Sequence, residues 1–277
     1  MIRINAYAKI NIGLTILNKR DDGYHNIETT LSTISLNDKI LLEKIEKGIE
    51  LISPGLKIPV ENNLCYKAAQ LFLKTYDIDE GIKITLQKNI PVGGGLGGGS
   101  SDAAGVLKGM CEVFNLNIPD EELMKLGREL GCDVPFFIKG GAAIARGVGD
   151  ELKFFKLPKM LLVIYYPGYQ ISTKWAYEEY DKTMLTTGMD VDNILMQKKK
   201  KNRVGLNIVN DFEKVVFKAH PDLMDVKANL LGAGAYMVSL SGSGSCLYAV
   251  VDEKNVKKNV IKYLSSIGAM YFETETI

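Results

Sequence analysis

The stretch Pro91-Val92-Gly93-Gly94-Gly95-Leu96-Gly97-Gly98-Gly99-Ser100-Ser101 holds six glycines in eleven residues. Glycine tolerates positive φ and lets backbone N–H groups converge on one point. The segment follows an alternating stretch, Ile82, Ile84 and Leu86, that reads as a strand, and precedes a helical stretch that runs to Phe114. A glycine loop opening onto a helix N-terminus offers unpaired donors and a positive dipole end, an anion site best suited to phosphate. Ser100 and Ser101 can cap that helix, bind a phosphate oxygen or hold its metal. The plainer alternative is a flexible turn, but six clustered glycines cost more chain entropy than a turn requires. No Gly-Lys-Ser/Thr occurs in the chain, so the loop is not a Walker A motif. Gly93, Gly95 and Gly98 satisfy the dinucleotide spacing. In so glycine-rich a stretch that match is nearly automatic, and no clear strand ending in an acidic residue follows the helix.

Two charged residues stand out. Lys9 shares a strand face with Asn11 and Thr15, opposite Ile10, Ile12, Leu14 and Ile16. Taken alone, it reads as a solvated lysine on a half-buried strand. Asp133 lies in Gly131-Cys132-Asp133-Val134-Pro135, and on spacing alone it is either a site carboxylate or the N-cap of a following short helix. Arg20-Asp21-Asp22-Gly23-Tyr24-His25 reads first as a hairpin tip.

The elements that must position these residues can be read coarsely. Residues 2–17 form a strand, 27–36, 38–46 and 49–53 form short strands, and Asn37-Asp38 and Lys47-Gly48 form turns. Helices are expected over 62–75 and 120–130, the latter with Leu123, Leu126 and Leu130 on one face and ended by Gly131. Beyond about residue 155, strands at 161–166, 236–240, 246–251 and 269–275 alternate with helices near 172–181, 189–200, 210–218, 221–231 and 254–265. This pattern suggests a second α+β domain, with domains of 1–153 and 154–277.

Composition sets the outer bounds. The 277 residues are 46% apolar and 24% charged, enough for a packed core, and the net charge of +1 favours neither nucleic acid nor a membrane surface. No apolar run approaches a membrane span, and the first residues lack the apolar stretch of a signal peptide. Cys65, Cys111, Cys132 and Cys246 show no CxxC pairing and read as reduced thiols, which points to the cytoplasm. The run Lys198-Lys199-Lys200-Lys201 reads as a solvated helix end or loop. Nothing in the sequence specifies an oligomeric state.

Pro91–Ser101 resembles the second signature motif of the GHMP kinases, and Ser241-Gly242-Ser243-Gly244-Ser245-Cys246 resembles the third. Ala6-Tyr7-Ala8-Lys9-Ile10-Asn11, Arg20–His25 and Gly131-Cys132-Asp133-Val134-Pro135-Phe136-Phe137 resemble one branch of that family. In that branch the acceptor is a cytidine diphosphate-linked methylerythritol of the non-mevalonate isoprenoid route. The resemblance runs from residue 6 to about 250, while residues 182–207 match no signature. It implies a two-domain α+β fold, the first domain like domain 2 of ribosomal protein S5 and the second ferredoxin-like. It also implies a small-molecule kinase that uses ATP with Mg²⁺, with Lys9 and Asp133 as the catalytic pair. Pro91, Val92, Gly93, Gly94, Gly95, Leu96, Gly97, Gly98, Gly99, Ser100 and Ser101, with Asn63 and Leu64 near the adenine, would bind ATP. Asn11, Tyr24, His25 and Tyr177 would bind the acceptor, and Ser101 is a candidate metal ligand. A tyrosine ring can stack on a base, and a neutral imidazole offers one donor and one acceptor to a base edge. Two other readings compete. A GHMP kinase acting on homoserine or mevalonate is disfavoured by the Arg20–His25 segment. A non-catalytic nucleotide- or RNA-binding protein is disfavoured by the presence of both Lys9 and Asp133 and by the near-zero net charge.

Overall fold

The computed structural model describes residues 1–56, 58–187, 209–251 and 253–277. The lysine run and the helix expected over 189–200 lie outside them. Packing groups the chain into two units. One comprises Met1–Ala8, Ser35–Val92 and Gly97–Gly140; the other comprises Lys9–Ile34, Gly93–Leu96 and Gly141–Ile277.

Two long strands, β1 (Ile2–Lys19) and β2 (His25–Ile45), pair with each other and contribute to both units. In the first unit, the Lys39–Ile45 half of β2 runs antiparallel to β4 (Gly81–Gln87), which runs parallel to β3 (Ile49–Ile52). The helices are α1 (Leu64–Thr75), α2 (Gly98–Val113), α3 (Asp120–Arg128) and α4 (Val134–Lys139). Ile82, Ile84 and Leu86 point into the core with Ile40, Leu42, Phe72, Leu107 and Met110, as their alternation predicts.

The turn expected at Asn37-Asp38 does not form, because β2 continues through it. Asp38 is fully buried, and its carboxylate accepts from the Ile90 N–H at 2.8 Å and from the Lys88 ammonium. A buried acid so partnered can stay in a strand. The half-buried reading of β1 also gives way. Lys9, Asn11 and Thr15 are as buried as the apolar residues opposite them.

In the second unit, Thr29–Ser32 of β2 runs antiparallel to β5 (Ala142–Arg146), which pairs with β6 (Glu151–Phe155). Neither β5 nor β6 was read from the sequence; the alanines of β5 carry little strand propensity. A second, antiparallel sheet has the order β10-β7-β9-β8, from β7 (Leu161–Tyr166), β8 (Met237–Leu240), β9 (Leu247–Val250) and β10 (Met270–Glu275). Helices α5 (Thr173–Thr187), α6 (Glu213–Ala219) and α7 (Pro221–Gly232) lie between β7 and β8 in sequence, and α8 (Lys254–Ser266) between β9 and β10. That is the βαββαβ chain order of a ferredoxin-like domain, as expected. Its core joins Val163, Phe212, Val216, Leu230, Leu247 and Leu264. Among the described residues no helix is long and apolar enough to cross a membrane.

Candidate active site

The glycine segment leads into α2, whose N-cap is Gly97 at φ +69°. No side chain caps this helix start, so its first amides stay open to an anion. The Ser101 N–H closes the first turn on the Gly97 carbonyl at 2.9 Å. The Ser101 hydroxyl donates to the Tyr7 carbonyl at 2.6 Å, tying α2 to β1. Beneath the helix start, the Lys88 ammonium lies between two buried carboxylates, Asp38 and Asp102, and donates to Asp102 at 2.7 Å. Burial pushes the Asp102 carboxyl up to about 8, against the pull of Lys88. The sequence reading missed this trio. Its one visible signal was a lysine and an aspartate placed just before and just after the glycines.

Asn63 is the N-cap of α1, where its side-chain oxygen accepts from the Cys65 N–H at 2.9 Å. Leu64 opens that helix, its Cδ1 3.5 Å from the point a Cβ on Gly99 would occupy. Asp133 precedes α4, but its backbone is already helical and its side chain makes no capping hydrogen bond. The N-cap alternative is thus met in position, though not by a side-chain capping bond.

In the second unit, the first half of the glycine segment docks on β1 and on the 241–246 loop. The Lys9 N–H donates to the Leu96 carbonyl at 3.0 Å, the Cys246 N–H to the Gly94 carbonyl at 3.0 Å, and the Ser241 hydroxyl to the Gly95 carbonyl at 3.0 Å. Lys9, 5% exposed, is not a solvated strand residue. Its ammonium donates to Asn11 Oδ1 at 2.6 Å, Asn11 donates to Thr29 Oγ1 at 3.0 Å, and Thr29 donates to the Gly13 carbonyl at 2.6 Å. Gly242 comes against this chain of bonds, 3.2 Å from Asn11 Oδ1 and 3.5 Å from Lys9 Nζ measured from a built Cβ. Asn210 holds the same loop by donating to the Leu240 and Gly242 carbonyls, each at 2.8 Å.

Tyr24 lies in the turn between β1 and β2 and is 61% exposed. His25, buried, opens β2 and stacks on Tyr177 of α5 with ring centroids 4.6 Å apart and planes at 13°. Tyr177 meets the edge of Phe212 at 4.8 Å. Asp181, one turn further along α5, lies 2.7 Å from His25 Nε2 and was not singled out by the sequence reading. Among the described residues no group of His, Cys, Asp and Glu could hold a metal ion by itself. None of the four cysteines forms a disulfide.

A glycine loop running into a helix start with no side-chain cap offers an anion site suited to phosphate. Residues 63–141 match the GHMP kinases N terminal domain, and residues 195–269 match GHMP kinases C terminal. A 4-diphosphocytidyl-2-C-methyl-D-erythritol kinase of Clostridium beijerinckii is 41% identical over 91% of both chains. One of Clostridium tetani is 38% identical over 100% of both. The chain belongs to the GHMP kinases and, within them, to the family of the 4-diphosphocytidyl-2-C-methyl-D-erythritol kinases. A crystal structure of 4-(cytidine 5'-diphospho)-2C-methyl-D-erythritol kinase, 30% identical, superposes with a TM-score of 0.82 over 99% of both chains. Homoserine kinase from Cytophaga hutchinsonii, 21% identical, shares the fold with a TM-score of 0.70 over 100% of this chain and 94% of its own. The chain is thus a small-molecule kinase with ATP as co-substrate.

Proposed function

We propose that this kinase transfers the γ-phosphoryl group of ATP to the 2-hydroxyl of 4-diphosphocytidyl-2-C-methyl-D-erythritol, in isoprenoid precursor synthesis. The observation that carries this reading is the match, along the whole chain, to kinases of that name. The helix start at Gly97, open to anions, supports the use of a nucleotide triphosphate. Pro91–Ser101 holds the phosphates, with Asn63 and Leu64 toward the adenine. The compartment in this reading is the cytoplasm, a reducing setting that suits four cysteines without a disulfide.

Phosphoryl transfer passes through a loose transition state, so positioning and charge stabilisation do most of the work. Asp133 orients the acceptor hydroxyl and takes its proton late, because an ordinary aspartate with a pKa of about 3.9 is a weak base toward an alcohol. Lys9, its ammonium aimed by the Asn11–Thr29 chain of hydrogen bonds, neutralises charge on the moving group. Asn11, Tyr24, His25 and Tyr177 hold the acceptor. Mg²⁺ brought with ATP would supply further charge neutralisation and would be held mainly by phosphates and water. Ser101 is the candidate protein ligand: its hydroxyl donates to the Tyr7 carbonyl, which leaves its oxygen lone pairs for a metal.

Phosphorus NMR of the product from ATP and the cytidyl acceptor tests the assignment. A new phosphomonoester on carbon 2 is expected. Turnover of homoserine or mevalonate in preference to the cytidyl compound would replace it with the competing acceptor.

A further inference from the structure

His25 is held on two sides. Tyr177 covers one face of the ring, and Nε2 lies 2.7 Å from Asp181 Oδ1. Asp181 also takes the Lys19 ammonium on its other oxygen at 2.7 Å. Burial raises the Asp181 carboxyl, but hydrogen bonds from Lys19 and His25 outweigh this and hold it below the ordinary carboxylate range. An ionised carboxylate can only accept, so the proton of this bond sits on His25 Nε2. In a neutral imidazole that leaves Nδ1 as an acceptor. No hydrogen bond to Nδ1 occurs among the described residues.

We propose that Asp181 is a positioning residue: it fixes the tautomer and plane of His25, and through His25 makes the acceptor site prefer a base carrying an exocyclic amine. This rests on the acceptor reading given above. Cytosine presents an amino donor where uracil presents a carbonyl. A lone pair on Nδ1 satisfies the first and opposes the second, and a site built for one edge rejects the other because a buried polar group is left unpaired. The reversed tautomer, with its proton on Nδ1, would invert the preference. The carboxylate of Asp181 therefore selects the base without touching it.

The test compares kcat/KM for the cytidyl acceptor and its uridyl counterpart in wild type, Asp181→Ala, Asp181→Glu and Lys19→Met, with a melting curve for each. The nitrogen-15 spectrum reads the His25 tautomer directly; the chain has two histidines, so His220→Gln assigns the signals. Wild type is expected to show the Nε2–H form and to prefer the cytidyl acceptor. Folded Asp181→Ala should show mixed tautomers, and its cytidyl-to-uridyl ratio should fall about tenfold, with the ATP KM unchanged. Asp181→Glu should recover most of the ratio. Lys19→Met should keep it, because the carboxylate still faces the ring. An unchanged tautomer and ratio in folded Asp181→Ala overturns the proposal, and so does an equal loss in Lys19→Met. Wild type that turns over both acceptors equally well refutes the selectivity alone. Wild type that turns over neither refutes the acceptor reading beneath it.

Discussion

The carbonyl oxygen of Ser241 lies 2.0 Å from the point a Cβ on Gly95 would occupy, and the Ser241 hydroxyl donates to the Gly95 carbonyl at 3.0 Å. The glycine segment and the 241–246 loop are thus joined at a spacing only glycine permits. Gly95 also sits at φ +77°. Gly95→Ala should destabilise the protein by about 2–5 kcal/mol, combining left-handed backbone strain with overpacking. Because the same segment holds the phosphates in the proposed reaction, affinity for a non-hydrolysable ATP analogue should fall as well. Urea unfolding and calorimetric titration check the two effects. Unchanged values in both would mean the loop is free to move away from Ser241.

Lys9→Ala and Asp133→Asn test the proposed catalytic pair. Each should lower kcat by about 10²-fold or more with modest change in KM, since the lost interactions act mainly in the transition state. Lys9 is buried against Asn11, so its variant also needs a melting curve. A folded variant with near-normal turnover would remove that residue from the chemistry.

Tyr24 is the exposed aromatic of the proposed base site, and its removal should cost little stability. Stacking on one aromatic is typically worth about 1–3 kcal/mol, so Tyr24→Ala should raise the acceptor KM by roughly one to two decades. The ATP KM should hardly move. Tyr177→Ala should raise the acceptor KM too, but it should also lower the melting temperature, because Tyr177 packs between His25 and Phe212. If Tyr24→Ala leaves the acceptor KM unchanged, Tyr24 is an ordinary turn residue.

Asp102 makes stability depend on pH. Burial raises its carboxyl from the ordinary 3.8 to about 8, so the folded chain binds this proton more tightly than the unfolded chain across that window. The unfolded state then holds fewer protons, and the contribution of Asp102 to stability falls as pH rises from 3.8 toward about 8. Asp102→Asn carries no titrating proton, so its urea midpoint should decline less than that of wild type from about pH 5 to about pH 8. Parallel curves for the two proteins would show that Lys88 keeps Asp102 ionised throughout.

The sequence by itself determined the local features. The glycines of 93–99, the 2-residue alternation of Ile82, Ile84 and Leu86, and the periodicity of α3 and α8 each depend on neighbours a few residues apart. The family was legible for the same reason, because its motifs are short contiguous segments. Tertiary structure decided what depends on distant partners. Asp38 looked like a turn residue until Lys88 and the Ile90 amide, some fifty positions away, accounted for its charge. Lys9 looked solvated because only one face of β1 is visibly apolar, while Asn11, Gly242 and the Leu96 carbonyl that surround it come from three separate segments. Asp181 carried no signal at all, since its meaning lies in an imidazole 156 positions earlier. Periodicity reports which residues seek the interior, but the pairing of buried polar groups is settled only when folding brings their partners within hydrogen-bond reach.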